Sequence, residues 1–284
     1  MTRILYKYLY IHSQYSHVIR RFALRYMISE RQKDILKTII EEHIMAAGPV
    51  SSKTLAKGRG FDIGAPMLRK EMNQLEKEGY LAQPHTSAGR VPTDKAYRLY
   101  IQENLSDKDD KIHKSGKIKT VGLTSGESQK VKGCLQKNWA DIGQLLKEIS
   151  RVASDVSREL SVAGEVGGGT YTCGFSNLFD EPEFKSFGNI NQLMRFMDNI
   201  DGYFDAMWNK FLYEDMQVFI GGENPIKEIN EFTLITGKYQ LPQGEPFDSA
   251  QGKHGFISII GPKRMNYRRN MALVEYISKV MNND

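Results

Sequence analysis

Between residues 29 and 105 the chain carries a run of caps and stops that constrains it to short helices followed by a hairpin. Ser29-Glu30-Arg31-Gln32 has the Ser-x-x-Gln form of a capping box, in which hydroxyl and amide each satisfy one orphan N–H. Behind it, Ile35, Leu36, Ile39, Ile40 and Ile44 recur at helical spacing until Gly48-Pro49 ends the run. Ser51 or Ser52 then caps a short helix over 53–57, stopped by Gly58 and Gly60. A third helix is predicted over 65–78, with Pro66 in its first turn and Gly79 as its stop. Residues 80–83 read as a strand, 84–89 as a turn and 90–92 as the return strand. Thr93 or Asp94 caps a further helix to Leu105.

The third helix has two unlike sides. Leu68, Met72 and Leu75 define a buried stripe, whereas Pro66, Lys70, Asn73 and Lys77 face away; Arg69 flanks that polar side and Met67 the other. Three helices and a two-stranded hairpin, in this order, predict a winged helix-turn-helix, whose second helix of the turn enters the major groove. There Arg or Lys donates to guanine O6 and N7, and Asn pairs with adenine. An ordinary solvated helix face is the competing reading. The hairpin tip favours DNA: 83–90 (QPHTSAGR) holds no acid, and His85, Thr86, Ser87 and Arg90 suit phosphate contacts. Ser51, Ser52 and Lys53 at a helix start offer N–H groups and a favourable dipole to a further phosphate. On this reading Arg90 and Lys53 neutralise phosphates, while Arg69 and Lys70 read bases.

Charge is uneven along the chain. Residues 1–26 carry five basic side chains and no acid; 27–105 carry 12 basic and 10 acidic; 106–284 carry 22 and 24. The overall excess of +5 thus belongs mainly to the N-terminal extension. That extension is either a basic amphipathic arm or read-through from a wrongly chosen start, since it lacks the form of a secretory signal. No apolar stretch is long enough to span a membrane, and Cys134 and Cys173 form no disulfide framework. A cytoplasmic setting is expected.

Residues 106–128 read as a polar linker. A long amphipathic helix is predicted over 138–160, striped by Ile142, Leu145, Leu146, Ile149, Val152, Val156 and Leu160. Gly-rich 164–169 breaks the chain, a strand follows over 170–175, and one periodic helix carries Leu193, Phe196, Met197, Ile200, Phe204, Met207, Trp208 and Phe211. Strands at 216–220, 231–235 and 254–260, a loop at 241–253 and a closing helix over 267–280 complete an α+β pattern with an antiparallel sheet. Both apolar helices are candidates for a self-contact or for intramolecular core.

Several segments together resemble the heat-inducible transcription repressor HrcA family: 29–36 (SERQKDIL), 48–55 (GPVSSKTL), 68–72 (LRKEM) and above all 83–95 (QPHTSAGRVPTDK), which brings Lys95 among the DNA-binding candidates. The resemblance continues through 174–179 (GFSNLF) with 182–184 (PEF), 220–225 (IGGENP) and 260–267 (IGPKRMNY), covering most of 27–284. It implies a homodimeric repressor on double-stranded inverted-repeat operator DNA upstream of chaperone operons. It also implies a GAF-like regulatory and dimerisation domain over 129–284 and an activity linked to the GroE chaperonin. Gly64 and Met67 stand where the family commonly has Ser and Thr, and Lys70 where it has Asn, so operator preference is expected to differ. The middle region is short for the family.

No enzymatic constellation stands out. Residues 164–169 lack the order of a phosphate loop, 221–225 read as a turn, and Asp198, Asp201 and Asp205 read as a solvated helix face rather than a calcium loop. No catalytic, cofactor-binding or metal residue is expected. The alternative function is a ligand-sensing module or small-molecule enzyme whose winged helix makes protein contacts.

Overall fold

The computed structural model describes residues 28–58, 61–104, 122–137, 141–185, 187–210, 215–241 and 254–282. The extension at 1–26 and all of the 241–253 loop beyond Leu241 lie outside the described residues, as does 106–121 of the expected linker. Contacts divide the chain into two compact units, Met1–Ser106 and Asp107–Asp284.

In the first unit, α1 (Glu30–Ala46) starts at the capping box: Gln32 N donates to Ser29 Oγ at 3.2 Å, and Ser29 N donates to Gln32 Oε1 at 2.9 Å. Ile35, Leu36, Ile39 and Ile40 are buried along it. Next come α2 (Ser52–Gly58), burying Leu55, and α3 (Ala65–Lys77), burying Leu68, Met72 and Leu75. Each such leucine contributes about 1.5–3 kcal/mol by leaving water. Strands β1 (Leu81–Ala82) and β2 (Val91–Pro92) pair antiparallel, and α4 (Asp94–Asn104) follows. The strands are shorter than the sequence suggests, but the hairpin gains a third edge: Val50 and Arg90 exchange both backbone hydrogen bonds, at 2.8 and 2.9 Å.

The second unit opens with a correction. Ser125–Ser128, expected to be linker, form the first turn of α5 (Ser125–Leu135). Thr124 and Glu127 make a capping box there, Thr124 N donating to the Glu127 carboxylate at 2.7 Å and Glu127 N to Thr124 Oγ1 at 3.2 Å. Helix α6 (Ile142–Ser157) is shorter than the expected 138–160, because Arg158 turns into the left-handed region at φ 65°. Leu160 therefore begins a strand, β3 (Leu160–Glu165), which the sequence reading missed. Strands β3, β4 (Thr170–Cys173), β5 (Met216–Ile220), β6 (Phe232–Gln240) and β7 (His254–Pro262) form an antiparallel sheet in the order β4-β3-β7-β6-β5.

Gly174, at φ 96°, turns the chain from β4 into α7 (Phe175–Phe179). The single periodic helix expected through 193–211 is two, α8 (Phe187–Asp198) and α9 (Ile200–Lys210), with Asn199 between them. Their Leu193, Phe196, Phe204 and Met207 pack with Leu160, Val162, Leu234, Phe256 and Ile260 of the sheet. Phe204 stacks on Phe256 at 4.4 Å between ring centroids. Alternation along β6 turns Thr233 to the opposite face, where its hydroxyl meets Tyr267 Oη at 3.0 Å on α10 (Tyr267–Met281). Leu145, Leu146, Ile149, Val152 and Val156 of α6 are buried too, so the stripe offered as a self-contact is interior to this unit. Asp201 and Asp205 are not merely solvated: each accepts at 3.0 Å from a backbone N–H, of Thr170 and Gly167, tying α9 to the β3–β4 turn. The 221–225 segment is the turn expected, held by Asn224 Nδ2 donating to the Ile229 and Phe232 carbonyls.

One buried carboxyl ties stability to pH. Glu159, 6% exposed, sits between α6 and β3, and its Oε2 has no hydrogen-bond partner among the described residues. Burial first, then the neighbouring Glu181, pushes its carboxyl well above the usual carboxylate range, against the opposing pull of Arg264 and Arg269. A group that holds its proton longer folded than unfolded supports stability at low pH and loses that support as pH rises above its ordinary value. Melting measured between about pH 5 and 8 is therefore expected to fall less with pH in Glu159→Gln than in the parent, the variant being the more stable at the upper end. Parallel profiles would show that the carboxyl is ionised throughout.

Candidate nucleic-acid interface

The outward side of α3 carries Arg69, Lys70, Asn73 and Lys77, all exposed, with Met67 in the first turn at 43% exposure. This side is cationic and polar because the apolar residues recur three and four apart on the other. The helix starts at Gly64, which supplies no side-chain cap, and Pro66 lies in its first turn. An acid missed in the sequence reading anchors it. Glu71 lies on the inner side, its side chain 11% exposed, and accepts from Arg31 Nη2 at 2.5 Å and Gln32 Nε2 at 2.9 Å. The signal was its spacing: Glu71 stands three residues after Leu68 and four before Leu75, on the side of the stripe. Arg31 and Gln32 thus serve α1 and α3 together.

The hairpin tip is ordered from within. Gln83 Nε2 donates to the carbonyls of Thr86 and Ala88 at 2.9 and 3.1 Å, leaving His85, Thr86 and Ser87 exposed. Gly89 lies against Val50, where a Cβ would come 2.3 Å from the carbonyl oxygen. At α2, Ser51 Oγ accepts from Thr54 N at 3.1 Å, Ser52 is buried at 7% exposure, and Lys53 is exposed.

Two of the expected DNA-binding residues, Arg90 and Lys95, make contacts within the unit. Arg90, its side chain 14% exposed, donates from Nε to Glu76 Oε2 and from Nη2 to Asn73 Oδ1, both at 2.9 Å. It therefore joins the hairpin to the polar side of α3. Lys95 donates from Nζ to the Glu78 carbonyl at 2.8 Å and lies over the Tyr80 ring, 3.9 Å from its centroid. Burial lowers its pKa, partly offset by Glu78. A cation at the end of α3 also complements the helix dipole. Of the predicted residues, Lys53, Met67, Arg69, Lys70, Asn73, His85, Thr86 and Ser87 are exposed, Ser51 is half-buried at its cap, and Ser52, Arg90 and Lys95 build the scaffold.

The molecule is thus of a two-unit class: a helical, hairpin-bearing unit with a cationic helix face, and an α+β unit built on an antiparallel sheet. Among the described residues no group of three or more His, Cys, Asp or Glu is placed to hold a metal ion, and no helix is long and apolar enough to cross a membrane. The family model for the HrcA protein C terminal domain matches residues 99–271, and the chain belongs to the HrcA family. It is 27% identical to a heat-inducible transcription repressor HrcA of Desulfitobacterium hafniense, over 89% of this chain and 96% of that one. A protein of the same name from Thermoanaerobacter pseudethanolicus is 24% identical over 90% of this chain and 96% of its own length. The one from Acetivibrio thermocellus reaches 35% over 48% of this chain and 35% of its own. A crystal structure of a hypothetical protein superposes with TM-score 0.67 at 19% identity, covering 90% of this chain and 98% of that one, and shares its fold.

Proposed function

We propose that the chain is a non-enzymatic, DNA-binding transcriptional repressor of heat-shock (chaperone) operons. In this reading the first unit is a winged helix-turn-helix with α3 as recognition helix, and the second is a GAF-like regulatory and dimerisation domain. A cytoplasmic homodimer places two recognition helices on an inverted-repeat operator, with the GroE chaperonin as the partner the family implies. One observation carries the reading: the exposed Arg69, Lys70 and Asn73 on one side of a helix whose other side is locked into the core, beside an acid-free hairpin tip. Met67 adds an apolar group suited to a thymine methyl. Deleting the gene should raise chaperone transcripts at ordinary growth temperature. Unchanged transcripts in the deletion strain would overturn the proposal.

The roles of two lysines separate in titrations. Lys70→Ala should cost about 1–3 kcal/mol on operator DNA and little on unrelated duplex. Lys53→Ala should weaken both alike and reduce the slope of log K against log salt by about 0.9. Equal losses on every duplex for Lys70→Ala would show that it touches only phosphate.

A further inference from the structure

We infer that Arg90 is a positioning residue that turns the amide of Asn73 so that its Nδ2 protons, not its oxygen, face the DNA, making Asn73 a reader of base acceptors. The inference rests on the DNA-binding reading above and deepens it. A guanidinium has only donors. The Asn73 atom 2.9 Å from Arg90 Nη2 is therefore its oxygen on chemical grounds, and the usual ambiguity of amide orientation is removed. Arg90 is itself held. Its Nε donates to Glu76 Oε2, three residues beyond Asn73 on the same helix, and its backbone N and O both pair with Val50. Asn73 is exposed, and with its oxygen engaged by Arg90 the group left for an outward partner is the NH2.

Pairing of asparagine with adenine asks one amide edge for a donor to N7 and an acceptor for N6. With the oxygen held toward the hairpin by a charge-assisted bond, that pairing is disfavoured. Guanine O6 and N7 and thymine O4 accept without asking for anything in return, whereas the cytosine edge presents a donor. One position in each half-site should thus prefer guanine or thymine, and the hairpin sets that preference without touching the base.

The test is selection of duplexes by the full-length chain from a pool with randomised inverted-repeat half-sites, repeated with Asn73→Asp and Arg90→Met. Asn73→Asp keeps an acceptor for Arg90 but replaces the outward donor with an acceptor. One position per half-site should move from guanine or thymine toward cytosine or adenine, with binding to the parental duplex weakened about 10-fold or more. Arg90→Met should flatten the preference at the same position while leaving the salt slope unchanged. A slope lower by about 0.9, with all sequences weakened alike, would make Arg90 a phosphate contact and overturn the inference. So would adenine selected by the parent at that position, or an Asn73→Asp profile identical to the parent's. A parent that selects no duplex contradicts the DNA-binding reading itself and takes the inference with it. Should Arg90→Met fail to fold, Asn73→Asp decides alone, since Asn73 lies on an exposed helix face.

Discussion

Gly89→Ala is expected to unfold the hairpin edge and abolish operator binding. The added Cβ would lie 2.3 Å from the Val50 carbonyl oxygen and 2.9 Å from Ser51 N, both backbone atoms that no side-chain rotation clears. The Val50–Arg90 bridge must open, forfeiting two backbone hydrogen bonds worth about 0.5–1.5 kcal/mol each. Overpacking adds about 1–3 kcal/mol. For a unit of this size each kcal/mol lowers Tm by about 4–8 °C, so calorimetry should show the melting of the first unit shifted down by about 8 °C or more. The displaced strand carries Arg90 away from Glu76 and Asn73, so the α3 surface is disturbed as well. Gly58→Ala, where an added Cβ meets nothing within 4 Å, is the control and should change little. A normal first transition in Gly89→Ala would show that the close approach at Val50 does not exist in solution.

Cutting the chain to residues 27–105 is expected to weaken operator binding by about 10²–10⁴ while sparing the unit's fold. The unit has its own core, built from Leu36, Ile39, Leu55, Leu68 and Leu75 among others. All five lie within 27–105, so the fragment keeps them. What it removes, in the proposed dimer, is the linkage that presents the second recognition helix at high effective concentration. Sedimentation and a binding isotherm on the same preparation check both halves of the expectation. A monomeric fragment that binds as tightly as the full chain would show that one half-site suffices.

Helix starts and buried stripes were legible wherever local chemistry decides them. The capping box at Ser29 and the stripe of Leu68, Met72 and Leu75 lie as spacing alone requires, and so do the bounds of β5. Misreadings fell where a tertiary contact replaced a local signal. Helix α6 ends at Arg158, a non-glycine residue in the left-handed region, so no Gly or Pro announced the turn into β3. Gly164 looked like a chain break, yet it lies within β3 because the Phe256 ring passes over it; a Cβ there would meet Cζ at 2.6 Å. The box of Thr124 and Glu127 is the exception: a local signal starts that helix, but it stands among polar residues whose composition reads as linker. In the candidate interface, helical periodicity was enough to separate the exposed side of α3 from its core side. Periodicity says nothing about which cations find partners: Arg90 meets Glu76 across the hairpin, 14 residues away, and Lys95 meets the end of α3 across 17.

In the proposed dimer the paired recognition helices distinguish an inverted repeat from other DNA. An anisotropy titration of the full-length chain against two duplexes of equal length and composition, at physiological salt, tests this. One carries an inverted repeat from upstream of a chaperone operon in the source genome, and the other carries the same bases shuffled. Binding to the repeat should be tighter by about 10³ or more, with both affinities falling as salt rises. Indistinguishable affinities for the two duplexes would contradict it.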